Sequence, residues 1–164
     1  MDADRFWELN ANLESENAAA QLRGRLSSLD PEEIESYQEH FDRAFVSAYN
    51  WDLWAAAYII GGGCSDDGFM DFRYGLISRG RSVFEAAIGN PESLINVADE
   101  TDAGFIPNED FGYVAQEVYE SKANQDMPDN DIAHPSDPSG VDWDFDDEQL
   151  CQEKLPKLWA KFGE

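Results

Sequence analysis

Basic residues are scarce in this chain. Its 164 residues include 11 Lys plus Arg against 35 Asp plus Glu, for a formal net charge of −24. The shortage is uneven. Between Ser82 and Glu153 the only basic residue is Lys122, set against 19 acids, so that stretch carries −18 of the total. A field of this sign repels nucleic acid and anionic membranes, and neither is expected as a partner. It attracts cations and basic protein surfaces. Read more plainly, the same carboxylates are a solvated face that keeps the protein in solution.

Other things are missing too. No apolar run approaches the roughly 20 residues that a membrane span needs. The opening MDADRFWELN has neither the basic nor the apolar region of a secretory leader, which predicts a cytoplasmic protein. Two cysteines, Cys64 and Cys151, do not make a disulfide framework and are expected as reduced thiols. The two histidines, His40 and His134, stand far from both cysteines, so no zinc-type spacing exists. There is no internal repeat and no alternation of strand type.

What remains is apolar and helical. Hydrophobic residues make up 42% of the chain and aromatics 13%, enough for a chain of this length to bury a core. The periodicity predicts an all-α fold: a single compact helical domain over 1–164, of about six to eight helices. An acidic, irregular loop over 125–142 precedes the C-terminal helix, since that stretch is rich in Asp, Asn, Pro, Ser and Gly. At that length it is either mobile or laid over the surface.

The individual helices announce themselves locally. Phe6, Leu9 and Leu13 share one helical face from about Asp4, and Leu22, Leu26 and Leu29 resume the spacing after a polar stretch. Asp30, Pro31 and Glu33 form the clearest start, a capping box with proline at the first position. Ile34, Tyr37, Phe41, Ala44, Phe45 and Ala48 follow it. Asn50 opens Trp51–Ile60, which is apolar nearly all round and is expected to be the most buried helix. Gly61, Gly62 and Gly63 close it. Ser65 caps the next helix, with Asp66 and Asp67 complementing its positive end. VFEAAI is a short helix ended by Gly89, Asn90 and Pro91 open another turn, and Ala98 to Pro107 is a loop. Asn108 caps a helix with Phe111, Val114, Ala115, Val118 and Tyr119 inward. The last helix starts near Asp146 and is kinked or broken at Pro156.

Two clusters are candidate sites. The first is polar: Cys64, Ser65, Asp66, Asp67 and Arg73, crowded into the densest apolar block. GGGCSDDG resembles a phosphate loop superficially, but it lacks the Gly-Lys-Ser/Thr ending, and its aspartates oppose an anion. The helix start lowers the Cys64 pKa and the aspartates raise it again, so a small buried thiol is the plain reading. Arg73 lies on the buried face between Phe69 and Ile77. There it needs a carboxylate partner, with Asp66, Asp67 or the 142–147 segment in reach, or an escape to solvent.

The second cluster is acidic: Asp142, Asp144, Asp146, Asp147 and Glu148. Counted from Asp142, acids fall at positions 1, 3, 5 and 12, as in a calcium loop. Position 6 is Asp147 where such a loop needs glycine, and position 8 is Gln149. The alternative is that Trp143 and Phe145 pack on the core while the aspartates face water and cap the last helix. No catalytic residue, metal set or cofactor motif emerges from either cluster.

Several blocks, taken together, resemble the bacterial domain-of-unknown-function family 4240. They are FWELN, LDPEEI, YNWDLWAAAYIIGGGCSDDGFMDFRYGLISRG, VFEAAIGNPESL, FGYVAQEVYESK, DWDFDDEQL and LPKLW. They run in order over nearly the whole chain. The resemblance implies a small soluble bacterial protein, with no reaction and no functional residue to carry over. Three functions therefore compete. The charge favours an interaction module for a basic partner, of toxin-neutralising, DNA-mimicking or regulatory kind. The Gly61–Asp67 hinge with Arg73 favours a small-ligand or enzymatic site. The Asp142 segment favours a cation-binding structural protein.

Overall fold

The computed structural model describes residues 1–98 and 108–163, so the expected loop from Ala98 to Pro107 lies, past Ala98, outside the described residues. Helix α1 (Ala3–Leu9) starts at Asp2, whose carboxylate accepts the Arg5 N–H at 2.8 Å. It buries Phe6 and Leu9, while Leu13 lies past the turn that follows it. Its exposed carbonyl end is closed by another element. Arg25 of α2 (Ala18–Leu26) donates to the Leu9 and Ala11 carbonyls at 3.0 and 2.7 Å.

Helix α3 (Pro31–Ser47) begins as its sequence dictates, with the Glu33 carboxylate accepting the Asp30 N–H at 3.0 Å. Helix α4 (Trp51–Gly61) begins on Asn50, whose side chain accepts the Leu53 N–H at 2.8 Å. It ends at Gly62, whose φ of 67° is the left-handed conformation that favours glycine. Helix α5 (Asp66–Ser78) is capped by the Ser65 hydroxyl, which accepts the Gly68 N–H at 3.1 Å. Helix α6 (Arg81–Gly89) leads into a 3₁₀ turn, Pro91–Ile95, headed by Asn90. A second 3₁₀ turn, Asp110–Tyr113, takes an Asn108 cap and runs into α7 (Val114–Ala123). The expected final helix breaks at Leu155 into α8 (Glu148–Lys154) and α9 (Pro156–Phe162), because Pro156 cannot continue a helix but can start one. That break brings the described residues to nine α-helices, and they hold no strand.

The core is one continuous cluster to which all nine of these helices contribute, α8 and α9 with one buried residue each, Cys151 and Leu158. Helix α7 packs on α3 and α2, α5 on α3, and α9 on α4 and the 91–95 turn. Helix α5, rather than α4, is buried most deeply: eight of its residues are buried against six of α4. The reason is aromatic bulk. Trp51, Trp54 and Tyr58 of α4 are too large to be enclosed by the helices around them and are only half-buried. Their outer faces are covered by the irregular segment, with Phe145 edge-on to Trp51 at 6.1 Å.

That irregular segment, 124–147, lies along α3 and α4. Asn130 donates to Asp42 at 2.6 Å, and Trp143 donates to Asp52 at 3.0 Å. Ser139 pairs with the backbone on both sides of Asn50 through bonds of 2.9 and 3.0 Å. Trp143 and Phe145 pack on the core, as one of the two readings of that segment expected.

Candidate functional site

The first candidate cluster separates into structural and convergent parts. Ser65 is spent on its cap. Cys64 is half-buried, its thiol donates to the Ser65 carbonyl at 3.6 Å, and its own carbonyl receives the Trp54 indole N–H at 2.9 Å. Burial, then the Asp71 charge, pushes the thiol up to about 11, so it stays protonated and inert at neutral pH. Asp67 is exposed and does not line the cleft described next. Asp66 and Arg73 both line one cavity.

The cavity holds about 280 Å³ and lies between α3, α5 and the 134–136 segment. Phe45, Val46, Met70 and Pro135 give it apolar walls, and Tyr49, Asp66, Arg73, His134 and Ser136 give it polar groups. Arg73 is 4% exposed. The expected carboxylate partner is not there: no ion pair to Arg73 forms among the described residues. Its guanidinium lies instead over the Phe45 ring at 3.8 Å, with Tyr49 at 4.5 Å and Phe69 at 4.9 Å. Its Nη1 donates to the Phe45 carbonyl at 3.2 Å and its Nε to the Phe69 carbonyl at 3.4 Å. Ring quadrupoles and carbonyl dipoles stabilise the buried charge without a counter-ion. Burial nevertheless lowers its pKa to about 10. Phe45 and Tyr49 are spaced i, i+4, as are Phe69 and Arg73. That pairing of aromatic and cationic steps was a usable signal, and it points to rings rather than to acids.

The acidic cluster is taken up by local structure. Asp147 caps α8, accepting the Gln149 and Leu150 N–H groups at 3.0 and 3.2 Å. Asp146 accepts the Tyr58 hydroxyl, and that bond is the main reason the phenol titrates high. Asp144 accepts the Asp146 N–H at 2.9 Å. Glu153, the twelfth position of the calcium-like spacing, accepts the Gln149 side chain at 3.0 Å on α8 instead. Glu148 lines a separate hollow of about 300 Å³ with Tyr58, Phe145, Trp159 and Phe162. Asp142 stays exposed. No group of three or more His, Cys, Asp or Glu side chains is placed to hold a metal ion among the described residues.

A different acidic surface is one that the sequence did not single out. Two adjoining hollows, of about 340 and 230 Å³, share Gln38, Met127, Pro128, Asp129 and Asn130. Together they form a groove between α3 and the 127–130 segment. Glu32, Glu35, Glu39, Asp42 and Asp129 line it, with no Lys or Arg in the lining. Asp42 is held by the Gln38 and Asn130 amides, at 2.9 and 2.6 Å. Two cations touch the rim: Arg43, paired with Glu39, and the N-terminal ammonium, which donates to Ser36 at 3.0 Å. Glu32, Glu35 and Asp129 have no basic partner among the described residues. The α3 acids lie off the face that buries Ile34, Tyr37, Phe41 and Phe45. Only the return of the chain at 127–130 turns their face into a wall.

No helix among the described residues is long and apolar enough to cross a membrane. The model of a family described as "Protein of unknown function (DUF4240)" matches residues 1–121. The groove's α3 wall and the Arg73 cage lie inside the match, while the 127–136 segment that completes both hollows lies beyond it. No curated protein and no solved structure matches the chain.

Proposed function

The chain belongs to the DUF4240 family of unknown function, and from that premise we propose that it is a cytoplasmic interaction module that engages a basic protein partner. The partner class is the one the charge favours: a toxin to be neutralised, a nucleic-acid-binding protein offered a DNA-like surface, or a regulated basic protein. The observation that carries the reading is the groove between α3 and 127–130, whose ionisable lining is five carboxylates and one histidine. Each hollow has room for one long basic side chain. The carboxylates left without a basic partner, Glu32, Glu35 and Asp129, supply the attraction. Exposed pairs of this kind contribute only about 0–1 kcal/mol each. Their main effect is on encounter, since the −24 field steers a cation toward the groove.

The test measures association of an oligoarginine peptide by stopped flow across a salt series. Neutralising the groove with Glu32→Gln, Glu35→Gln and Asp129→Asn slows association and flattens its salt dependence. Neutralising Asp142, Asp144 and Glu148 to their amides removes the same charge and changes the rate less. Equal effects from the two triple variants would mean that only total charge matters, and the groove reading would be abandoned. Capture from a native cytosolic extract at low and high salt then identifies the natural basic partner.

A further inference from the structure

We propose that the Arg73 cleft is a binding site for a small zwitterion carrying a carboxylate and an ammonium group, of the α-amino-acid class with an aliphatic side chain. This site uses residues other than the groove's carboxylates and stands or falls separately. The argument starts from the guanidinium. Nε and one Nη1 proton are used on the Phe69 and Phe45 carbonyls, and Arg73 Nη2 has no hydrogen-bond partner among the described residues. No side-chain nitrogen or oxygen is both sealed from solvent and unpartnered there, so Nη2 reaches the open space of the cleft. A cation whose residue is 4% exposed thus presents its free end to a cavity. The planar fork of Nη1 and Nη2 matches a carboxylate end-on.

A carboxylate alone is a poor fit. Asp66 stands at the rim, and the molecule carries −24, so a simple anion approaches against the field. A zwitterion has no net charge and meets no such long-range opposition. Its carboxylate takes the guanidinium, and its ammonium takes Asp66. No hydrogen bond or ion pair engages the Asp66 carboxylate among the described residues. Phe45, Val46, Met70 and Pro135 then face the side chain, and the volume of about 280 Å³ limits the ligand to the size of a single amino acid.

The experiment titrates the full chain, isotopically labelled, with L-leucine, with 4-methylpentanoate, which lacks the amine, and with 3-methylbutylamine, which lacks the carboxylate. Amide shifts confined to Tyr49, the first two turns of α5 and 134–136 are expected with L-leucine at millimolar concentration. The amine is expected to bind at least tenfold more weakly. Asp66→Asn changes an exposed residue and keeps the fold. It should weaken L-leucine about tenfold and leave 4-methylpentanoate unchanged or tighter. Arg73→Lys keeps a charge but loses the fork, and it should abolish binding of both carboxylates. If that variant does not fold, the three ligands and Asp66→Asn decide alone. The proposal is overturned if L-leucine produces no shifts in the cleft. It is equally overturned if the amine binds as well as the amino acid, or if Asp66→Asn leaves L-leucine unaffected.

Discussion

Tyr37 and Asn10 form the most enclosed polar contact between side chains among the described residues. The Tyr37 hydroxyl donates to Asn10 Oδ1 at 2.8 Å, and Asn10 in turn donates to the Phe6 carbonyl at 2.9 Å. Both residues are buried. Tyr37→Phe removes the donor and strands the amide oxygen, which should lower stability by about 1–3 kcal/mol in urea unfolding with an unchanged slope. Arg73 makes a second such case. Arg73→Met loses the three-ring cage and two carbonyl bonds, an expected loss of about 2–4 kcal/mol by the same measurement. An unchanged midpoint would mean that the cage contributes nothing. Cys64 sets a pH dependence. Its pKa rises from 9.0 unfolded to about 11 in the fold, chiefly through burial. The stability this contributes is complete below pH 9 and disappears as pH rises through about 11, because only the unfolded thiol loses its proton in that window. Burial lowers Arg73 to about 10, and this acts with the opposite sign at higher pH. The melting temperature should fall between pH 9 and 11, and the fall should be smaller in Cys64→Ser, which has no proton to lose there. Of these residues, Cys64 and Arg73 stood out in the sequence, and Tyr37 and Asn10 did not stand out as a polar pair. Asn10 shares a helical face with Phe6, but a lone asparagine beside apolar residues gives no sign that a tyrosine 27 positions away will receive it.

Helix ends show where sequence reading succeeds and where it stops. Asp30, Asn50, Ser65, Asn90 and Asn108 were legible as caps because a cap and the N–H it satisfies lie within three residues of each other. Ends closed from a distance were not. Arg25 closes α1, and the Glu92 carboxylate accepts the Lys157 and Leu158 N–H groups at 2.9 and 2.8 Å, capping α9 from 65 residues away. Lys122 reaches the Ser27 carbonyl at the end of α2 at 2.7 Å. Such bonds need the tertiary fold before they exist, and no local pattern encodes them. The α9 start lacks a side-chain cap of its own, since Leu155 precedes Pro156. Glu92→Ala should therefore lower stability by about 1 kcal/mol and increase hydrogen exchange at Lys157 and Leu158. Gly112 offers a sharper test of packing between elements. A Cβ there would meet the Tyr74 ring at 2.6 Å, and that ring is stacked on Phe45 at 4.9 Å. The 3₁₀ turn is thus seated directly on α5. Gly112→Ala should cost about 1–3 kcal/mol through overpacking, although alanine normally favours helical backbone.

Charge acts on the molecule as a whole, and its effect on the groove differs from its effect on the fold. The chain carries −24, and the ion pairs seen among the described residues are exposed: Arg5–Glu8, Arg23–Glu117, Arg43–Glu39 and Arg81 with Asp4 and Glu85. Pairs of that kind add little. The net electrostatic term therefore opposes folding, because the native state brings carboxylates closer together than the unfolded chain does. Asp71 carries the signature locally. Burial, with Glu109 and Asp67 beside it, raises its pKa above the ordinary carboxylate value. A raised carboxylate takes up its proton in the native state first, so stability rises as pH falls from neutral toward that range. Sodium chloride should act in the same direction at constant pH. The screening length contracts to about 10 Å at 0.1 M, which removes repulsion between distant acids while leaving short contacts intact. Chloride is the salt to use, because sulfate also strengthens apolar burial and would mask the effect. The expected result is a melting temperature that rises with sodium chloride and levels off once the screening length is shorter than the spacing of the acids. The groove variant Glu32→Gln, Glu35→Gln, Asp129→Asn separates stability from recognition. It removes three repelling charges, so it should melt higher at low salt and respond less to salt, while it binds oligoarginine more slowly. That outcome is the one the proposed binding role predicts, since a groove kept for a partner would hold its carboxylates at a cost to the fold. If the variant melted lower at low salt, those carboxylates would be supporting the fold, and their place in the groove would no longer argue for a partner.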